Sequence, residues 1–258
     1  MSIITTKAIV LSSLKYGETS LIVKCFTEQE GLKSYLIKGV LSSKKRNIKA
    51  AYFQPLNQLS LTANHHQKSN LHHLKEVHVI HPYKTIYADI VKQSVVLFLS
   101  EMLTSAIKEE EQNIPLYNYL ESGLNWLDVH DKIANFHLLF LLNLTNFLGF
   151  YPDVSNTDSK YFNLLEGNFT SQDYYKNSIS DNELYQFKKL LGINFDNIEK
   201  VTFSKNERQL VLKIIIEYFK LHLGNFKNPN SLQVLETIFS WWWGTVFLFF
   251  YVLCIVFL

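Results

Sequence analysis

At 258 residues the chain has room for one large or two small domains, and 47% hydrophobic against 19% charged residues excludes disorder on a large scale. The net charge of +2 hides a split: residues 1–80 hold eleven Lys/Arg against four Asp/Glu, net +7, while residues 81–258 hold fourteen against nineteen, net −5. A basic first third ahead of a mildly acidic remainder is the pattern of a polyanion-binding module joined to a domain with another task, and nucleic acid is the first partner it implies.

From Thr6 to about Pro82 the apolar residues fall in short β-rich bursts: KAIVLSS, TSLIVKCFT, LKSYLIKGV, FQPLNQLSLTA and LKEVHVIH. Turn-forming stretches such as KYGE, EQEG and NHHQKSN separate them. Five strands in this span, with no long helical stretch between them, predict a small barrel or sandwich; an OB-type barrel has that count and size, and it binds nucleic-acid strands on one face and in its loops. The second burst alternates Leu21, Val23 and Cys25 against Ile22, Lys24 and Phe26, so both faces are largely covered and the lysine reaches a wet margin.

After Pro82 the period changes from two to nearly four. A helix is expected from about Thr85 to Glu110, with Ile90, Val91, Ser94, Val95, Leu97, Phe98 and Met102 on one stripe. Pro115 suits the first turn of the next helix, LYNYLESGLNWLDV, and FHLLFLLNLTNFL is apolar nearly all round, the mark of a central helix. Capping boxes at Ser180 with Glu183 and Ser204 with Glu207 start two more, the second running to a stop at Gly224. Between helices, residues 150–178 form a polar insert in which YFNLLEGNFT predicts a hairpin turning at Glu166 and Gly167. The fold class is therefore α+β: a barrel domain over 1–81, an α-helical domain over 82–239 with the insert at 150–178, and an apolar tail over 240–258.

The candidate DNA-binding residues are Lys33, Tyr35, Lys38, Lys44, Lys45, Arg46 and Lys49 in GLKSYLIKGVLSSKKRNIK, together with Lys15 and Lys24. Lysines on a strand and its loop can track a phosphate backbone while an aromatic face accepts a base; the alternative is a solvated basic loop. Six histidines at positions 65, 66, 72, 73, 78 and 81 invite a metal reading, but neither doublet has the cysteine spacing of a structural zinc site. They read better as loop residues that add positive charge in mild acid. No phosphate-binding, zinc-protease or nucleophile-elbow motif is present, so no catalytic residue, cofactor or metal is assigned. Glu109, Glu110 and Glu111 read as a solvated helix end. With only Cys25 and Cys254, no disulfide framework can form within the chain, and the N-terminus lacks a signal-peptide pattern; the cytoplasm, nucleoid-associated, is the expected location.

The opening KAIVLSSLKYGETSLIVKCFTEQEGLKSYLIKGVLSSKKR resembles that of the bacterial RecO family of DNA repair and recombination mediators. The matching features are the strand Ile9 to Leu11, the Tyr16-Gly17-Glu18 turn, Phe26-Thr27, Gly31 and Lys38-Gly39 ahead of a basic loop. Gln54-Pro55-Leu56, Leu148-Gly149-Phe150 with Tyr151-Pro152, Phe162 before Glu166-Gly167, and SLQVLETIF extend the resemblance over roughly residues 1 to 239. It implies an OB-fold followed by a helical domain, and a non-enzymatic role in the RecF pathway of homologous recombination. It also implies binding of single- and double-stranded DNA, annealing of complementary strands, and partnership with RecR and single-stranded-DNA-binding protein so that RecA can load. Many members carry four zinc-binding cysteines in the insert; this sequence has none at 150–178, so no zinc is expected and the hairpin is expected to hold by its own packing.

The second departure is the tail. From Thr237 to Leu258 there are 22 uncharged residues, enough for a helix to span the roughly 30 Å of a bilayer core, with Trp241 to Trp243 at an interface. No Lys or Arg lies closer than Lys227 to orient it. A membrane anchor, which would make the chain a tethered protein-interaction adaptor, an altered C-terminus on a complete domain, and an element docked on the helical domain are the three readings.

Overall fold

The computed structural model describes residues 2–42, 48–65 and 70–241. Strands β1 (Ser2–Tyr16), β2 (Ser20–Thr27), β3 (Gly31–Ile37), β4 (Gln58–His65) and β5 (Leu71–Val79) close into a barrel in the order β1-β2-β3-β5-β4. Every neighbouring pair is antiparallel except β3 and β5. This is the expected OB-type barrel, and a helical region follows it. The fourth strand begins later than its apolar burst, at Gln58, because Leu56 and Asn57 bond to Val10 of β1: Leu56 N–H donates to Val10 O (2.7 Å) and Val10 N–H to Asn57 O (3.0 Å).

Period-two alternation fixes what each strand faces. Ala8, Val10, Val23, Cys25, Tyr35, Leu59, Leu61, Ala63 and Val77 fill the barrel. Their outward neighbours Ile9, Leu11, Phe26 and Leu32 join a second, larger core built by the helices. The β1–β2 register slips between Val10 and Ser12, a bulge whose extra residue is Leu11; Thr104 of the first helix donates its hydroxyl to Leu11 O (3.2 Å). The foot of the barrel is thus packed like an interior, each such side chain contributing about 1.5–3 kcal/mol by burial.

Helix α1 spans Ile90–Ala106, shorter at both ends than expected. Its start is delayed because the buried Asp128 carboxylate accepts the N–H groups of Lys84 (2.9 Å), Thr85 (2.8 Å) and Ile86 (3.1 Å), holding them in a turn, after which Asp89 caps Val91 and Lys92. Its end comes early because Ile107 turns extended and the following residues dock on the barrel. Helix α2 (Ile114–Val129) carries Pro115 in its first turn and Asn113 as cap, and α3 (Phe136–Phe147) is buried along most of its length.

In the insert, β6 (Tyr161–Asn163) and β7 (Asn168–Thr170) form the hairpin, and a strand absent from the sequence reading, β8 (Ser178–Ser180), pairs on the other side of β6. The hairpin is held by more than itself: Phe162 packs on Phe169 (5.0 Å between centroids), Phe187 (5.2 Å) and Tyr218 (6.0 Å). Gly167, at φ 68°, lets the turn approach the Tyr218 hydroxyl, where a Cβ would lie within 2.5 Å. Because Ser180 belongs to β8, its capping box does not form; its hydroxyl bonds the Asp181 carboxylate (3.0 Å) and α4 runs Asp181–Lys188. The box at Ser204 with Glu207 does form and starts α5 (Lys205–His222), which stops one residue before Leu223; the left-handed residue there is Asn225, not Gly224.

Helix α6 (Leu232–Trp241) packs on α1 and lays Phe239 against the buried His137 ring (5.2 Å) and Arg208 (5.7 Å). Burial, then the neighbouring Arg208 charge, lower the His137 pKa to about 3, so its ring is neutral. Among the described residues no helix is long and apolar enough to cross a membrane; the tail beyond Trp241, on which the anchor reading rests, lies outside them.

Candidate nucleic-acid interface

Above the packed foot, the same strands present their outer face to solvent. Register places Leu14 of β1 opposite Ile22 of β2, Ile22 opposite Leu36 of β3, and Leu36 beside His73 of β5, so one outward row crosses four strands. The next row starts at Tyr16, opposite Ser20. Leu14 is 66% exposed and Tyr16 56%. Among the described residues no helix covers them, and an exposed leucine and tyrosine at the tip of a barrel form the sort of surface that accepts a flat apolar partner.

Two lysines, Lys15 and Lys38, stand at this tip. Lys15 is exposed on β1 between Leu14 and Tyr16. Leu41 N–H donates to Thr19 O (2.9 Å) and Gly39 N–H to Ser20 Oγ (3.3 Å), which ties the segment after β3 to the β1–β2 turn and brings the exposed Lys38 to the same end. Lys49 is exposed just before a short 3-10 turn, Ala50–Phe53. Lys44, Lys45 and Arg46 lie outside the described residues.

The other candidates sit elsewhere. Tyr35 offers no face to a base: it is 1% exposed, pointing into the barrel, with its hydroxyl hydrogen-bonded to His65 Nε2 (3.1 Å). It lies opposite Val23 in the register, so it shares the inward phase of the strand. Lys33 donates from Nζ to the backbone oxygen of Glu110 (2.8 Å). Lys24 is half-buried beside Lys108 and Glu110; burial, then the like charge of Lys108, lower its pKa, and Glu110 partly opposes them. The expected wet margin at Lys24 is therefore a margin shared with the helical region.

Four of the histidines, His65 on β4 and His72, His73 and His78 on β5, are strand and not loop residues, and two of them are interior groups. His65 and His72 are buried with stacked rings (4.3 Å between centroids), and His65 Nδ1 bonds Glu30 Oε2 (2.8 Å). His73 and His78 are exposed, and His66 lies outside the described residues. Among the described residues no group of three or more His, Cys, Asp or Glu is arranged to hold a metal.

The exposed residues of this tip that the sequence reading did not name as candidates are Leu14 and Tyr16. Strict alternation from Ile9 and Leu11 places Leu14 and Tyr16 in the inward phase; the bulge at Leu11 resets it and turns them outward, so no local signal marked them.

Two family models match this chain. "Recombination protein O N terminal" covers residues 1–83, the barrel, and "Recombination protein O C terminal" covers residues 87–232 of the helical region. Curated relatives named DNA repair protein RecO match along nearly their whole length. The Flavobacterium johnsoniae protein is 51% identical over 92% of this chain and 99% of its own. The Flavobacterium psychrophilum protein is 49% identical with the same coverage, and the Phocaeicola vulgatus protein is 36% identical over 91% of this chain and 98% of its own. With both family models on consecutive parts of the chain and relatives at this identity, the protein belongs to the RecO family of DNA repair proteins.

Proposed function

We propose that the chain binds single- and double-stranded DNA through the tip of its barrel, anneals complementary strands, and acts with RecR and single-stranded-DNA-binding protein to help load RecA, in the cytoplasm. The observation that carries the reading is the exposed Leu14–Tyr16 tip with Lys15 and Lys38 at the same end of an OB-type barrel. Lysines hold phosphates without regard to sequence, and exposed apolar and aromatic side chains accept unpaired base faces. Annealing needs two polyanions to approach with their bases free. A surface that lowers their repulsion speeds that encounter with no covalent step and no ATP.

The test is oligothymidylate binding by the full chain across a salt series. With about four phosphates neutralised, the log-log slope of affinity against salt is expected near −3, and Lys15→Ala with Lys38→Ala and Lys49→Ala flattens it and slows annealing. A flat salt response in the parent chain would overturn the reading.

A further inference from the structure

We propose that the outward row Leu14, Ile22, Leu36 and His73 is the path of a bound single strand across the barrel, and that His73 is its far base platform, adding a phosphate contact when its imidazole takes up a proton. The inference rests on the DNA-binding reading above and carries the footprint from the tip to β5.

The row is continuous by register. Leu14 pairs with Ile22, Ile22 with Leu36, and Leu36 with His73, the last across the parallel β3–β5 pair. Ile22 and Leu36 are half-buried, while Leu14 and His73, at the two ends, are exposed. With neighbouring strands about 4.8 Å apart, the three steps cover about 14 Å, the reach of a few nucleotides.

A polyanion fits this strip because the rows on either side of it carry cations. Toward the tip, Tyr16 lies opposite Ser20, whose hydroxyl accepts from Gly39 N–H (3.3 Å) and so brings Lys38 alongside. Toward the foot, Ser12, Lys24, Ser34 and Leu71 form the next row. Bases can then lie on the apolar strip while their phosphates reach a lysine at its border.

His73 reaches this face by the alternation of β5: His72 is buried against the His65 ring (4.3 Å between centroids), and its neighbour turns outward. An imidazole offers a π face to a base, and it is the side chain whose charge ordinarily changes between about pH 5 and 8. The groups directly facing it are uncharged, Leu36 on β3 and Asn64 on β4. The charged groups nearest in the register are Lys75 and Glu76 on its own strand, Glu76 opposite Thr62, and Lys24 in the row toward the foot. His78 is the matched control: exposed on the same strand, it lies opposite Ser60, itself opposite Lys7, in a row away from β3.

The test is oligothymidylate binding by the full chain over a salt series at about pH 8 and at about pH 5.5. The expected result is a log-log slope steeper by about 0.7 at the lower pH, the contribution of one more phosphate contact on a single strand. His73→Phe keeps a ring and loses the charge: affinity at the higher pH stays within about twofold of the parent, and the slope no longer changes with pH. His73→Ala loses both, with affinity about tenfold lower at the higher pH. His78→Ala behaves as the parent. Equal parent slopes at the two pH values, a shift that survives in His73→Phe or vanishes in His78→Ala, or an unchanged affinity in His73→Ala overturns the assignment, while a parent slope near about −3 still supports binding at the tip. A flat parent response at both pH values overturns both.

Discussion

The foot and the tip of the barrel are built from the same strands, with the bulge at Leu11 resetting the alternation of β1 between them, yet one is core and the other is surface. At the foot, outward Ile9, Leu11, Phe26 and Leu32 are sealed by helices; at the tip, outward Leu14 and Tyr16 meet solvent. The difference lies entirely in what covers them. An outward apolar residue on a barrel is a packing group where a second layer lies over it, and a candidate ligand contact where none does.

That contrast can be broken most sharply at the foot. Phe26→Ala removes a fully buried ring stacked toward Tyr117 (6.4 Å between centroids) and is expected to destabilise the protein by about 3–5 kcal/mol, read from denaturant midpoints. An equal truncation at the tip, Leu14→Ala or Tyr16→Ala, is expected to leave stability within about 0.5 kcal/mol. If both positions cost the same stability, the tip is covered after all.

The joint between barrel and helices supplies the next effect. Burial acts to raise the Asp128 pKa, but hydrogen bonds from Lys84, Thr85 and Ile86 backbone N–H groups and the Thr85 hydroxyl outweigh it and hold the carboxyl below its usual range. In the unfolded chain that carboxyl takes up its proton at an ordinary pKa of about 4, before the folded one does. Stability from this group is therefore complete at neutral pH and falls as pH drops through about 4. Asp128→Asn is expected to cost about 2 kcal/mol at neutral pH and to flatten the acid limb of stability against pH. An unchanged acid limb would remove Asp128 from the account of the joint.

At the tip the expected change is in binding. Tyr16→Ala is expected to weaken oligothymidylate binding by about tenfold while duplex binding, which offers phosphates and few free base faces, changes less. Equal losses on both substrates would make Tyr16 a general contact and not a base platform. The smallest effect is assigned to Tyr35→Phe: about 1 kcal/mol of stability from the lost bond to His65, with DNA affinity unchanged. A loss of affinity there would restore Tyr35 to the site.

The barrel was legible because its period-two bursts and turns are local signals. What each strand faces was legible only in part. Tyr35 was assigned to the surface for its neighbours in sequence, but its phase is set across the sheet by Val23, and only the register reveals it. The overlong first helix has the same origin: the carboxylate that unwinds residues 84–86 is Asp128, more than forty positions away. At Ser180 the capping pattern is present in letters, but the residue is claimed by a strand pairing with β6. The lysines were recognisable as phosphate-binding types. That Lys33 and Lys24 are shared with the segment after α1 depends on a long-range docking made possible by Gly31.

The most direct measurement is ultraviolet crosslinking of oligothymidylate to the full-length chain, with the modified peptides mapped. The account predicts adducts at Tyr16 and in the peptides around Lys38 and Lys49, and none at Tyr35. Adducts confined to the helical region, residues 87–239, would contradict it.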